Sequence, residues 1–351
     1  MKLELDQSLD EEPLFLINVQ AVPFENGYVV RHGLTRIFLE APGLEAVFGA
    51  LVDLARSAQG ARTSALLAAV APDERPVMES LIAALRQRRL LVPAGEIVDP
   101  NAEDLHESVF YWSYGTSATA VRERLGQRRL AVIGYNTVGT AMATTLAEMG
   151  FGSVTLVDHP MLRNLSLAEG GFDDLVAHDD WAEENDLPDC IILTSDFGGP
   201  DVAREWNAFC VTNNVHFYPA FVSDHIGLVG PMVLPGQSAC YECFALRERA
   251  ASADITLHRS TDGLAYFSQP SFGFIKPMAQ AVVALATTEL LKFYSQALPG
   301  GNIGRMIEYD VLAPSLDTHR VLKLPRCPVC GPVVAAPTFA SETRVFMPGN
   351  E

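Results

Sequence analysis

Four cysteines, arranged as two C-x-x-C pairs, are the residues of this sequence with the most specific chemistry. The first pair is Cys240 and Cys243, and the second is Cys327 and Cys330. Two thiolates three residues apart in a tight turn can occupy adjacent corners of a tetrahedron, so two such pairs complete a closed four-sulfur site. We interpret them as a structural Zn²⁺ clamp without a position for a reacting water. Two unrelated pairs remain an alternative, and a redox pair is disfavoured because neither pair is predicted to open a helix directly after a strand.

A second group of residues follows the pattern of a nucleotide-binding βαβ unit. The apolar run Leu130–Ile133 predicts a strand buried on both faces, and Gly134 and Gly139 follow it at the spacing of a phosphate-binding turn. Asp158 ends the next apolar strand, where such units present an acid to the ribose. Asn136 stands where the fingerprint has its middle glycine, and its side chain narrows the approach of a phosphate. The pattern indicates a Rossmann-like fold and leaves nucleotide binding open.

Composition limits the class of protein and its partners. A chain of 351 residues with 48% hydrophobic and 19% charged residues is long enough for two ordered domains. A formal net charge of −18 argues against nucleic acid as a partner. No apolar run approaches the length of a membrane span, the N-terminal residues do not form a signal peptide, and cysteine pairs that suit a metal favour a reducing cytoplasm. Cys190 and Cys210 lie in apolar contexts and are interpreted as core residues.

The N-terminal 95 residues are predicted to form a winged-helix-like module of strands, three helices and a closing strand. Its third helix carries Arg86, Arg88 and Arg89 near its end. These arginines are either a solvated helix end or part of a groove, between an edge strand and this helix, that accepts an extended acidic peptide by strand addition. We favour peptide over DNA because the rest of the module is neutral or acidic. The predicted strands are Leu14–Val19, Val22–Val30 with an Asn26-Gly27 turn, Thr35–Leu39 and Leu90–Val92, and the predicted helices are Leu44–Ala55, Ser64–Val70 and one opened by Pro76.

The order of these elements in Pro13–Val92 resembles the PqqD-like leader-recognition module of ribosomal-peptide-modifying systems. The resemblance implies that the module binds the leader segment of a precursor peptide as an added strand. It rests on pattern and order rather than on one motif.

The remaining chain is predicted to be an α/β domain of the Rossmann type. We expect a connection at residues 96–128 with a single helix from Ser108 to about Leu125, the α/β domain at 129–335 and a tail at 336–351. An acidic loop, containing Asp173, Asp174, Asp179 and Asp180, is expected before Asp189. Further elements are expected at Thr140–Met149, Val154–Val157, Cys190–Thr194, Val202–Asn213, Val215–Phe221, Gly227–Leu234, Pro277–Ser295, Met306–Val311 and Thr318–Leu322.

Several motifs follow one another in a specific order: the Val-Ile-Gly-Tyr-Asn-Thr-Val-Gly run, Asp158, Thr194-Ser195-Asp196 with Arg204 and Asn207, Gly230-Pro231, and the two cysteine pairs. In this order the region from about Ser108 to Pro332 resembles the ThiF/MoeB/ubiquitin-activating superfamily. That family adenylates a peptide C-terminus with ATP and magnesium. The resemblance implies ribose binding by Asp158 and magnesium or phosphate binding by Asp196, with Asp196 catalytic if the chain adenylates.

The sequence departs from this family where the triphosphate is held. Members follow the ribose acid with Asn-Leu-Asn-Arg-Gln and then a lysine, but here Asn164-Leu165-Ser166 is followed by Leu167 and Ala168. No lysine occurs between Lys2 and Lys276. Arg163 or Arg204 could substitute, although neither stands at the family position. A triphosphate would be poorly neutralised here, so we interpret the adenylation site as degenerate.

The combination of the two modules resembles the leader-peptide-binding, ocin-ThiF-like partner of azoline-forming cyclodehydratases. It implies that a separate YcaO-type protein binds ATP and that this chain presents the precursor, whose Cys, Ser and Thr residues become azolines. The rivals are an active adenylating enzyme, as in microcin-type activation, and a scaffold that binds neither ligand. The family usually dimerises, so we expect a homodimer. His225 could be a proton shuttle, but a loop histidine is more often structural or solvated.

Overall fold

The computed structural model describes residues 12–17, 19–24, 27–32, 35–57, 59–94, 105–114, 116–164, 175–183, 187–197, 200–251, 273–301 and 303–331. Contacts between residues divide the chain into two compact units, Met1–Glu123 and Arg124–Glu351. The division lies within the 96–128 stretch that the sequence assigns to a connection. Several residues discussed above lie outside the described residues: Asn26, Leu165–Ala168, Asp173, Asp174 and the 336–351 tail.

Up to Pro93, the described part of the first unit combines a strand pair, a separate antiparallel sheet and three helices. Strand β1 (Leu14–Leu16) pairs with β5 (Leu91–Pro93), and the separate sheet has the order β2-β3-β4. Pro23 lies on an edge strand of that sheet, as expected for a residue without a backbone N–H. The other elements are β2 Gln20–Phe24, β3 Gly27–His32, β4 Thr35–Glu40, α1 Leu44–Ala55, α2 Thr63–Ala68 and α3 Arg75–Gln87.

One face of the three-stranded sheet and the apolar faces of the helices form the core of this unit. Val30 on β3 is fully buried, and Ile37 on the neighbouring strand packs against the same core. On α1 the buried residues recur with the helical period predicted from the sequence, and they include Val47 and Leu51. The opposite face of the sheet carries exposed Phe38.

Two helices replace the single helix expected between Ser108 and Leu125. Helix α4 spans Leu105–Tyr114 and α5 spans Ala118–Gly126. The prediction of one helix was wrong because Ser117 begins a new one: its Oγ accepts a hydrogen bond from the Ala120 N–H at 3.1 Å, as an N-cap serine does.

The second unit is built on one eight-stranded sheet of order β13-β12-β11-β10-β9-β6-β7-β8. The five strands from β10 to β8 are parallel, and β11, β12 and β13 extend the sheet antiparallel. The parallel part has the doubly wound order of a dinucleotide-binding sheet, which confirms the α/β prediction. The strands are β6 Arg129–Ile133, β7 Ser153–Asp158, β8 Leu175–Ala177, β9 Cys190–Ser195, β10 His216–Ser223, β11 Ile226–Val229, β12 Arg305–Asp310 and β13 Ser315–Arg320.

Five described helices accompany this sheet, and two sequence expectations need correction. Helix α6 begins at Thr137 rather than at Thr140, because Asn136 caps it. Residues 175–183 form a strand and a helix rather than an acidic loop. None of the described helices is both long and apolar enough to cross a membrane. The helices are α6 Thr137–Glu148, α7 His178–Glu183, α8 Pro200–Thr212, α9 Tyr241–Ala251 and α10 Lys276–Ser295.

Candidate functional site

The four paired cysteines converge on one point of the second unit. The Sγ atoms of Cys240, Cys243, Cys327 and Cys330 all lie within 4.8 Å of one another. Three of the separations are 3.9 Å (Cys240–Cys243), 3.6 Å (Cys240–Cys327) and 3.5 Å (Cys243–Cys330). An ion bound tetrahedrally at about 2.3 Å from each sulfur separates the sulfurs by about 3.8 Å. The four thiols can therefore hold a metal ion without rearrangement of the chain.

Local turns prepare each cysteine pair. Cys240 immediately precedes α9 and Cys243 lies in its first turn, so this pair opens a helix, although the preceding strand already ends at Val229. A helix N-terminus stabilises thiolates through its unpaired N–H groups, which suits metal ligands. In the second pair, Gly331 donates its N–H to the Cys327 carbonyl, and a Cβ at Gly331 would clash with the Cys327 backbone.

Arg204 and Asn207, which the resemblance associates with a nucleotide site, contact the first cysteine pair. The Arg204 guanidinium binds Glu242 at 2.6 and 2.8 Å, and this hydrogen bonding raises the pKa of Arg204. Glu242 is only 3% exposed. Asn207 Oδ1 accepts the Tyr241 N–H at 2.9 Å. Both residues of α8 thus hold the start of α9.

The side chain of Asn136 connects several elements at the edge of the sheet where the parallel strands end. Its Oδ1 accepts the Gly139 N–H at 2.9 Å, which caps α6. Its Nδ2 donates to the Leu162 carbonyl at 3.0 Å and to the Thr194 carbonyl at 2.9 Å. Asn136 is fully buried, and Gly134 is held so close that a Cβ there would lie 2.5 Å from this amide nitrogen. One side chain therefore links the start of α6, the turn after β7 and the end of β9.

A carboxylate of the chain occupies the N-terminus of α6. Asp196 Oδ2 accepts the Thr137 N–H and the Asn164 Nδ2–H, each at 2.9 Å. Asp196 is 1% exposed, and its Oδ1 has no hydrogen-bond partner among the described residues. Helix N-termini are where nucleotide phosphates bind in this type of fold. Here the negative side chain of Asp196 already accepts a hydrogen bond from one of these N–H groups, that of Thr137.

The acid expected to bind ribose is also paired within the chain. Asp158 Oδ2 lies 3.0 Å from the Arg163 guanidinium, which in turn lies 5.8 Å from the centre of the Tyr135 ring. The adjoining His159 packs its ring 4.7 Å from that of His178. Burial, and then the charge of His178, lower the pKa of His159 to about 4, so this histidine is neutral at ordinary pH.

The other predicted residues belong to other elements of the chain. Arg86 belongs to the last turn of α3, while Arg88 and Arg89 follow it and are exposed, with Arg89 at a φ of 55°. His225 is exposed in the turn between β10 and β11. Burial raises the pKa of Cys190 to about 12, which fits a core thiol.

Sequence reasoning missed three members of these networks. Arg163 was considered only as a phosphate ligand, yet it neutralises Asp158. Thr137 contributes through its backbone, which carries no sequence signal. Of the three, only the role of Glu242 could have been predicted from the sequence, because a buried acid between two metal-binding cysteines requires a nearby cation.

Comparison with known proteins gives a fold and no family. No protein-family model matches the sequence, and no curated protein matches it. Among solved structures, E. coli MccB with MccA has a TM-score of 0.64 at 18% identity, over 91% of this chain and 99% of that one. The fold is that of MccB.

Two further structures agree with this result. E. coli MccB with ATP has a TM-score of 0.61 at 18% identity, over 90% of this chain and 99% of that one. A heterocyclase in complex with substrate and cofactor has a TM-score of 0.62 at 14% identity and covers 91% of this chain. This chain corresponds to 40% of that heterocyclase.

Proposed function

We propose that this protein binds the leader segment of a ribosomally made, bacteriocin-type peptide and presents it to a YcaO-type cyclodehydratase that forms thiazolines or oxazolines. In this role the chain itself catalyses no step. The observation that carries the proposal is the occupied carboxyl edge. Asp196 accepts an N–H at the α6 N-terminus, Arg163 neutralises Asp158, and Asn136 fills the space of the middle glycine.

The solved structures of the same fold support a peptide as ligand. The MccB structure with a TM-score of 0.64 contains MccA, and the similar heterocyclase is in complex with substrate and cofactor. A fold does not fix a function, so these similar structures support a peptide partner but do not distinguish presentation from catalysis. That distinction rests on the residues of the site.

The first unit offers a suitable edge for an added strand, and we propose that it is the winged-helix-like, PqqD-like leader-binding module. Strand β2 is a poor acceptor because Pro23 lacks a backbone donor, whereas β4 contains no proline. Along β4, exposed Arg36, Phe38 and Glu40 alternate with residues that face the core. An added strand would place its alternate side chains beside these three.

The arginines at the end of α3 add to this proposal. Arg88 and Arg89 are exposed, and neither forms a salt bridge with another described residue. Together with Arg86 they supply positive charge on a chain whose net charge is −18. A leader segment with acidic residues would gain from this local field.

We propose Zn²⁺ as the ion of the four-cysteine site. Four thiolates in tetrahedral arrangement are typical of structural zinc, and closure by four sulfurs excludes a bound water. When bound, the ion would supply only cross-linking of the two cysteine turns. Cys240 and Cys243 would hold it from the start of α9, and Cys327 and Cys330 from the C-terminal turn.

An adenylating enzyme is the second candidate. It is favoured by one observation, the likeness to MccB with ATP, together with the presence of Asp196 at the α6 N-terminus. In that case Asp196 would release the Thr137 N–H to hold magnesium or phosphate, with Asp158, Gly134 and Gly139 beside the nucleotide.

Calorimetric titration of the metal-loaded protein tests the proposal directly. One titration uses ATP with Mg²⁺ and the other uses the leader segment of the precursor peptide encoded beside this chain. Peptide binding without heat from ATP supports presentation. ATP binding that disappears in Asp196→Ala, with pyrophosphate exchange, would establish the adenylating enzyme. Absence of both signals would favour a scaffold.

A further inference from the structure

Helix α8 carries side chains that contact the metal knuckle, defined here as Cys240–Cys243. The Arg204 guanidinium holds both carboxylate oxygens of Glu242, with Nε to Oε2 at 2.6 Å and Nη2 to Oε1 at 2.8 Å. One turn further along α8, Asn207 accepts the N–H of Tyr241 at 2.9 Å. Both contacts are made to the first two residues of α9, which directly follow Cys240.

We infer that Arg204 and Asn207 are positioning residues of the metal site, which fix the Cys240–Cys243 half before the ion binds. The inference rests on the proposed metal site and is independent of the peptide-presenting role. It gives these residues a task other than the nucleotide contact that the family resemblance implies.

Charge gives a physical reason for the arginine. Four thiolates around a divalent ion leave a net charge of two minus, and Glu242 adds a third negative charge within the same knuckle. Glu242 is 3% exposed, so water cannot offset this repulsion. A bidentate guanidinium offsets it and fixes the direction of the carboxylate, and an ammonium reproduces the charge but not the fork.

The same helix reaches the carboxyl edge of the sheet on another side. Trp206, adjacent to Asn207, packs 5.7 Å from Trp181 and 6.2 Å from His159, measured between ring centres. Movement of α8 on loss of the ion would therefore change the surroundings of Trp206. The fluorescence of Trp206 would report a movement of α8 that accompanies loss of the ion.

Competition between the intact protein and a chromogenic chelator, with Zn²⁺ alone as the probe, measures the effect. For Arg204→Gln we expect zinc affinity to fall about 10- to 100-fold, the usual effect of losing a residue that orients metal ligands. Arg204→Lys should fall between this variant and wild type. The double variant Arg204→Gln/Glu242→Gln should bind more tightly than Arg204→Gln, because no buried carboxylate is left unpaired.

Arg320→Gln on exposed β13 is the matched control and should bind zinc like wild type. Zinc removal should change tryptophan emission in wild type, and Trp206→Phe should abolish that change. Zinc affinity of Arg204→Gln within twofold of wild type overturns the inference. If Arg204→Gln does not fold, wild-type zinc affinity in Arg204→Lys overturns the inference equally.

Discussion

At the scale of single residues, Asn136 is a departure from the nucleotide-binding fingerprint whose contacts the structure describes in full. A glycine at this position exposes backbone to a phosphate. The asparagine instead forms hydrogen bonds to α6, to the turn after β7 and to β9. The amide lies where it also prevents any side chain at Gly134. The asparagine thus supplies contacts that a glycine at this position could not make.

Restoring the fingerprint with Asn136→Gly should destabilise the protein. The Leu162 and Thr194 carbonyls would lose their donor, and buried unpaired groups cost about 1–3 kcal/mol each. We expect the free energy of unfolding to fall by about 2–4 kcal/mol in urea titrations. Asn213→Ala, which removes an exposed hydrogen bond to Phe209, is the control and should change it by less than about 1 kcal/mol. Equal effects of the two variants would contradict the role of Asn136.

His159 predicts a pH dependence of stability. Burial lowers its folded-state pKa to about 4 from an ordinary value of 6.5, so the unfolded chain takes up the proton first as pH falls. Stability should be unaffected above about pH 6.5 and should decline between about pH 6.5 and pH 4.

Comparison with His159→Asn isolates this residue. The asparagine can still accept the Met161 N–H but does not titrate. Urea midpoints measured from pH 7.5 to pH 4 should fall less steeply for the variant than for wild type. Parallel profiles would show that the pKa of His159 is the same in the folded and the unfolded chain.

At the scale of elements, the two edge strands of the N-terminal sheet, β2 and β4, differ in their capacity to pair with an added strand. Phe38 on β4 is 66% exposed and Val22 on β2 is 57% exposed, and both point away from the core. Only β4 lies on an edge without proline, so a strand added there would contact Phe38 and would not reach Val22, two strands away.

The proposed leader binding therefore predicts different effects of two matched substitutions. Phe38→Ser should weaken leader-peptide binding about two- to fivefold, the range of one cross-strand pair, in a fluorescence anisotropy titration. Val22→Ser should leave it unchanged. Equal weakening by both would instead indicate a ligand lying across the face of the sheet.

At the scale of the whole molecule, the chain consists of two units with separate cores. The metal site lies entirely in the second unit and the proposed peptide edge entirely in the first. Ligands of the two sites should therefore stabilise different parts of the chain.

Scanning calorimetry should show this separation. Metal removal should lower the melting temperature of one transition only, by about 10 °C if the ion is normally present at a thousand times its Kd. Leader peptide should raise the other transition. A single transition moved by both ligands would show that the two units unfold together.

The sequence by itself determined the elements, because helix and strand periodicity and the cysteine spacing are local properties. The period of α1, the apolar runs of β6 and β9, and the two C-x-x-C pairs were all predictable in this way. Even the local predictions failed where a side-chain cap decided a boundary, at Ser117 and at Asn136.

Only the tertiary structure decided which residues neutralise one another. Asp196 and Thr137 lie 59 positions apart, and Arg204 and Glu242 lie 38 apart, so no spacing rule connects them. The carboxyl ends of parallel strands meet at one edge of the sheet, and α8 packs against α9. Charged side chains that become buried in this arrangement need partners of opposite charge or hydrogen-bonding groups close by. The sequence determined where the glycines, acids and cysteines stand along the chain, whereas the packing decided that Asp196 accepts the Thr137 N–H and that Arg163 pairs with Asp158.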